Sequence, residues 1–168
     1  MVDLECINRW HESEARAVFL GCCGAPGWAD TMTARRPFHR EAELFAAAEQ
    51  VWRALPPAEW LAAFAAHPRI GDLDALRRRY PQADGGPAAE QARVRVAGNE
   101  VLQALADGNR RYEARFGYIF IVCATGKTAD EMLALLRERL ANDPDTELRI
   151  AAGEQEKITR LRLEKLTS

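Results

Sequence analysis

Six consecutive residues of this chain, His67-Pro68-Arg69-Ile70-Gly71-Asp72, hold an imidazole, a rigid ring, a guanidinium, a permissive glycine and a carboxylate. They follow an apolar run and lead into a charged one. His67 is one of three histidines in the chain. Imidazole titrates near neutral pH, so it can act as a general acid or base. It also suits the end of a helix, where the macrodipole favours a cation. Both readings stand on the residue alone. Asp72 reads mainly as a helix N-cap and Arg69 as structural.

Two further places carry chemistry-bearing side chains. Glu90-Gln91 opens a long helical run after the turn-rich segment Pro81 to Pro87. A carboxylate there complements the helix dipole, or it meets a substrate together with the Gln91 amide and free backbone N–H groups. Arg162 has apolar neighbours, Leu161 and Leu163, and is expected to point inward. An inward guanidinium needs an anionic partner, either a structural carboxylate or a substrate group. Gly126-Lys127-Thr128 resembles the end of a P-loop, but position 121 is isoleucine where that motif needs glycine. No His/Cys/Asp/Glu cluster has metal-ligand spacing and no G-x-S-x-G occurs, so neither metal nor cofactor is expected.

The elements that must position these groups read as helices. Apolar residues recur at helical spacing over Asn8 to Gly21, Glu41 to Leu55, Ala58 to Ala66, Ala88 to Phe116 and Asp145 to Leu166. Gly21 and Gly24 are expected to close the first of these. Pro26 can start a short helix to about Arg35, and Asp72 can cap another over Leu73 to Tyr80. Thr128-Ala129-Asp130-Glu131 fits a capping box at the head of a helix running to Leu140. Gly98 and Gly108 weaken the long helix without ending it. Phe116 to Ala124 is the most apolar stretch, yet it lacks a second strand to pair with. It reads as a buried extended segment or a tight helix-breaking connection inside an all-α, single-domain bundle of about seven to eight helices spanning 1–168.

Composition narrows the function classes. The chain has 168 residues, 48% hydrophobic, with 23 Lys+Arg against 25 Asp+Glu. This balance gives no pull toward nucleic acid or anionic membranes. No apolar run is long enough to span a bilayer, and the acidic N-terminus lacks a signal peptide's basic region. Cys6, Cys22, Cys23 and Cys123 show no C-x-x-C pair and read as buried free thiols in a reducing compartment, hence a cytoplasmic location.

The set of motifs, taken in order, resembles the 2-oxo-4-hydroxy-4-carboxy-5-ureidoimidazoline (OHCU) decarboxylase family. It comprises Gly24-Ala25-Pro26-Gly27-Trp28 with Arg36-Pro37-Phe38, then Ala66-His67-Pro68-Arg69-Ile70-Gly71-Asp72, then Glu90-Gln91. It continues through Asn109-Arg110-Arg111-Tyr112-Glu113-Ala114-Arg115-Phe116-Gly117-Tyr118-Ile119-Phe120-Ile121-Val122-Cys123-Ala124 and ends with Ile158-Thr159-Arg160-Leu161-Arg162-Leu163.

The resemblance implies a cofactor-free, all-α homodimer acting on a small ureide, forming (S)-allantoin in urate breakdown. It implies that His67 is the catalytic acid/base and that Glu90 assists it. Pro68 would shape the pocket, and Gln91 with Glu90 would hold the ureido and imidazoline edges. The backbone of Phe120, Ile121, Val122, Cys123 and Ala124 would offer amides to ring oxygens, and Arg162 would hold an anionic group. Gly85-Gly86-Pro87-Ala88-Ala89 departs from the family, which often has a serine and a tryptophan before Glu-Gln, and Ala92 stands where glycine is common. The rival readings are a lyase or hydrolase of another small ureide, and a non-catalytic helical interaction module.

Overall fold

The computed structural model describes residues 4–69, 72–81 and 88–167, the side chains of 88–96 excepted. Ile70, Gly71, the turn residues 82–87 and the side chains of Glu90 and Gln91 therefore lie outside the described residues. Among the described residues there are nine helices and no strand. They are α1 (Leu4–Arg9), α2 (Glu12–Cys23), α3 (Pro26–Ala34), α4 (Glu41–Ala54), α5 (Pro57–Ala65), α6 (Leu73–Arg79), α7 (Ala88–Phe116), α8 (Ala129–Leu140) and α9 (Pro144–Thr167). The chain is all-α as expected, with one helix more than the upper count read from periodicity.

The additional helix comes from a break at Trp10-His11. His11 adopts extended backbone, and its ring nitrogen accepts from the Ser13 N–H, capping α2. The first helical stretch is thus two helices, and Ile7 rather than Trp10 supplies the buried contact. Gly21 lies inside α2. Gly24 ends the helix at φ +85°, in the left-handed region that favours glycine.

Contacts divide the chain into two compact units. One contains Met1–His67, Ile121–Cys123 and Arg149–Ser168. Its core is aromatic and aliphatic, with Phe19, Trp28, Met32, Leu44, Phe64 and Leu163 all inaccessible. Phe19 and Trp28 meet edge to face at 5.9 Å. The indole N–H groups find backbone acceptors, Trp28 on Ala48 O and Trp52 on Ala152 O. Arg36 donates to Ile7 O, Trp10 O and Thr33 O, while Asn8 and Phe38 exchange two hydrogen bonds. The Arg36-Pro37-Phe38 motif therefore anchors α1 and serves structure.

The other unit contains Pro68–Phe120 and Ala124–Leu148. Asp72 caps α6 by accepting from Ala75 N, and Thr128 and Glu131 make the expected capping box on α8. Arg69 pairs with Glu113 at 2.5 Å. The unit's centre is ionic. The inaccessible Glu147 carboxylate accepts from Arg139 Nε at 2.7 Å, from Asn142 Nδ2 at 2.9 Å and from the Tyr112 hydroxyl. Burial first, then the Glu147 contact, pushes the Tyr112 hydroxyl well above its ordinary range, so it stays protonated and donates. Phe116, Tyr118 and Phe120 pack around the Tyr112 ring, with centroids 4.7, 5.9 and 5.2 Å away. Arg139 lies 4.7 Å above the Phe120 ring. Tyr112 thus anchors the aromatic chain that leaves α7.

Gly108 shows why glycine stands inside α7. A Cβ there would lie 2.5 Å from Cδ2 of Leu136, which is itself inaccessible. Alanine gains about 1 kcal/mol of helix propensity over glycine, but overpacking costs about 1–3 kcal/mol. Gly108→Ala is therefore expected to lower the thermal midpoint by a few degrees. A midpoint at or above that of the parent protein would show that Leu136 turns aside freely.

Candidate active site

The site in the first unit grows from an unfinished helix end. In α2 the carbonyl of Cys22 would normally accept from residue 26, but Pro26 has no N–H. The carbonyl of Cys23 would accept from Gly27, whose N–H donates instead to Glu59 Oε2 at 2.9 Å. Two carbonyls are left facing inward. Both are satisfied by side chains of α9: Arg162 Nη1 donates to Cys22 O at 3.1 Å, and Gln155 Nε2 donates to Cys23 O at 3.4 Å.

His67 joins this group directly. Its backbone N–H still bonds Phe64 O at the end of α5, as a helix stop would. Its ring turns away, and Nε2 lies 2.5 Å from Gln155 Oε1. The corner of α5 is held close, since a Cβ at Gly24 would stand 2.6 Å from Ala66 Cβ. The half-buried imidazole is held below its ordinary pKa. Desolvation is the main cause, and the Arg162 charge adds to it, opposed by the Gln155 contact. Burial likewise pushes the Cys22 and Cys23 thiols up to about 11, so both stay neutral near pH 7.

Arg162 points inward, as its apolar neighbours suggested. Among the described residues no Asp or Glu pairs with it. A half-buried cation that bonds one carbonyl among the described residues retains donors suited to an anionic ligand.

The segment from Ile121 to Cys123 belongs to the same unit, with Ile121 buried and its two neighbours half-buried. The Cys123 N–H donates to Glu154 Oε2 at 2.8 Å. In this structure the Cys123 amide is thus engaged with Glu154. Cys123 is half-buried and Cys6 exposed, so only Cys22 and Cys23 are buried thiols.

Pro68, Phe120 and Ala124 lie in the second unit, and Glu90 and Gln91 lie in the first turns of α7. The structure thus brings together His67, Arg162 and Ile121–Cys123 within one unit. It adds Gln155, Thr159 and Glu154, which sequence reasoning missed. For Gln155 and Thr159 the signal was a four-residue ladder on α9. Glu147, Ala151, Gln155, Thr159, Leu163 and Thr167 are all buried, though four of the six are polar. Among the described residues no group of three or more His, Cys, Asp or Glu is placed to hold a metal, and no helix is long and apolar enough to cross a membrane.

A half-buried imidazole thus lies beside a guanidinium that pairs with no Asp or Glu among the described residues, an arrangement suited to acid/base chemistry on an anionic ligand. Comparison with known proteins specifies the class. The family pattern described as OHCU decarboxylase matches residues 8–164. The chain is 37% identical to the uric acid degradation bifunctional protein TTL of Arabidopsis thaliana over 88% of its own length, and spans 45% of that longer protein. It is 31% identical to the 2-oxo-4-hydroxy-4-carboxy-5-ureidoimidazoline decarboxylase of Amia calva, covering 77% of this chain and 73% of that one. A crystal structure of OHCU decarboxylase in the presence of (S)-allantoin superposes with a TM-score of 0.72 at 34% identity, over 94% of this chain and 99% of the other. The chain belongs to the OHCU decarboxylase family.

Two outcomes follow from this geometry. In an NMR titration, His67 is expected to have a midpoint below 6.5. The unfolded chain then binds the His67 proton more tightly than the folded one. Its contribution to stability is complete above that value and falls as pH drops through it. A midpoint above 6.5 would contradict the burial and Arg162 argument. Separately, Arg162→Met strips the Cys22 carbonyl of its donor. It is expected to cost about 1–3 kcal/mol in urea denaturation without any ligand, and an unchanged midpoint would show the carbonyl satisfied otherwise.

Proposed function

We propose that this chain decarboxylates 2-oxo-4-hydroxy-4-carboxy-5-ureidoimidazoline to (S)-allantoin, without a cofactor, in urate breakdown. The observation that carries this reading is the pairing of a neutral, half-buried His67 with an Arg162 that has no carboxylate partner among the described residues. The substrate supplies the missing anion. The family match runs from 8 to 164, through both units, and supports treating 1–168 as one functional domain.

The chemistry suits the groups. The substrate bears a hydroxyl and a carboxylate on one ring carbon. Breaking the carbon–carboxylate bond releases CO2 and leaves its electron pair to the adjoining ring π system, which takes up one proton. The hydroxyl carbon is then an enol. Its collapse to a carbonyl moves one proton from oxygen to the ureido-bearing carbon. A neutral imidazole can take the hydroxyl proton and return it on a single face, which makes the product one enantiomer. Arg162 holds the anionic substrate in place, and an environment shielded from water strengthens that attraction. Catalysis then depends on contacts that strengthen as charge moves into the ring.

For Glu90, Gln91, Pro68, Phe120 and Ala124 the assignment to substrate contacts rests on the family resemblance. Ile121, Val122 and Cys123 gain support from sharing a unit with His67 and Arg162. The resemblance also supports a homodimer, and the buried Cys22 and Cys23 thiols suit a reducing cytoplasm. Sedimentation should give twice the mass of one chain, and a monomer at working concentration would overturn the dimer.

The direct test generates the substrate freshly from urate and follows circular dichroism as allantoin forms. Rapid appearance of one enantiomer is expected, whereas racemic product at the uncatalysed rate would sink the reading. His67→Ala should reduce kcat by on the order of 10²–10⁴-fold, the span of a positioned acid or base. Full activity in that variant would remove His67 from the mechanism.

A further inference from the structure

Gln155 is inaccessible and its amide is held at three points. Nε2 donates to Cys23 O at 3.4 Å and to Thr159 Oγ1 at 3.1 Å, and Oε1 lies 2.5 Å from His67 Nε2. A carbonyl oxygen can only accept, so the amide nitrogen must face Cys23. Turning the amide over would set two carbonyl oxygens against each other in a buried place, where an unsatisfied acceptor costs about 1–3 kcal/mol. Thr159 reinforces this orientation, since its hydroxyl also bonds Cys23 and offers its lone pairs to the amide. The amide oxygen is then compelled to face the imidazole. An oxygen can only accept there as well, so the hydrogen in that contact belongs to histidine.

We propose that Gln155 is a positioning residue that fixes His67 in the tautomer protonated at Nε2, leaving Nδ1 as the nitrogen that exchanges a proton with the substrate. The chain of constraint runs backwards to the sequence. The Gly27 N–H, drawn to Glu59, leaves Cys23 O open, Cys23 O orients the Gln155 amide, and the amide selects the imidazole tautomer. The use of Nδ1 rests on the decarboxylase reading, whereas the tautomer does not. Gln155 touches no reacting atom in this scheme. Its neutrality matters too, since a carboxylate at 155 would favour the imidazolium and occupy Nδ1 with a proton. Among the described residues the other groups around His67 do not compete for this role. Arg162 on α9 opposes protonation, the Cys22 and Cys23 thiols at the end of α2 stay un-ionised near pH 7, and Glu59 on α5 is engaged with Gly27 N.

The test reads the ring nitrogens of His67 by long-range proton–nitrogen correlation in the full-length protein. The parent protein at neutral pH should show a pyrrole-type Nε2 and a pyridine-type Nδ1, and the opposite pattern would overturn the proposal with no substitution needed. In Gln155→Met the single tautomer should give way to a mixture, with kcat reduced by on the order of 10²-fold and KM little changed. Retention of the tautomer or of full kcat would reject the positioning role. Gln155→Glu keeps the shape and the acceptor, so it guards against a misfolded methionine variant. It should raise the His67 titration midpoint and move the acid limb of kcat to higher pH, and an unmoved midpoint counts against the contact. If the parent protein shows the expected tautomer but yields only racemic allantoin at the uncatalysed rate, the decarboxylase reading fails while the tautomer assignment stands.

Discussion

The structure of the site depends on two backbone carbonyls that helix α2 cannot satisfy by itself. A helix leaves its last carbonyls open, and Pro26 ensures that the Cys22 carbonyl stays open because it brings no N–H. Burying such a group unpaired costs about as much as a sizeable fraction of a domain's net stability. The donors come from α9, in Gln155 and Arg162. Stability therefore requires α9 to present polar side chains inward at this level. Those same side chains set the surroundings of His67. Structural need and chemical equipment are here the same set of contacts.

The second unit solves a similar problem with charge. Glu147 is inaccessible, yet it is surrounded by Arg139, Asn142 and the Tyr112 hydroxyl. A buried ion pair adds little over apolar packing of the same volume, but loss of one partner costs about 3–5 kcal/mol. The arrangement constrains more than it stabilises. It locks Tyr112, and the aromatic ladder of Phe116, Tyr118 and Phe120 is built on that ring. The turn at Gly117, at φ +83°, lets the chain leave α7 and begin the irregular run to Ala124.

Glu154 and Gln155 extend this logic along α9. Adjacent on the helix, they reach two different parts of the first unit. Glu154 accepts from the Cys123 N–H, and Gln155 reaches His67. One helix thus sets the position of the extended segment and of the imidazole. A shift of α9 would be felt by both, whereas packing of apolar side chains alone would tolerate small slides.

The sequence by itself determined what depends on neighbours along the chain. Helical periodicity, Pro26, the Thr128 capping box and the Asp72 cap placed most helix bounds within a few residues. The missed break at Trp10-His11 turned on a histidine acting as a cap, a weak local signal. The motifs also pointed to His67 and Arg162 and to the family that the comparisons establish. Only the tertiary structure decided which open carbonyls needed donors, and that Gln155, Thr159, Glu154 and Glu147 would supply or demand hydrogen bonds. Those residues look like solvent-facing helix positions in a hydrophobicity pattern. Their burial follows from polar partners far away in the chain, such as Cys23 for Gln155 and Cys123 for Glu154. A one-dimensional pattern records which side chains avoid water, and carries no record of which distant polar group a buried one will meet.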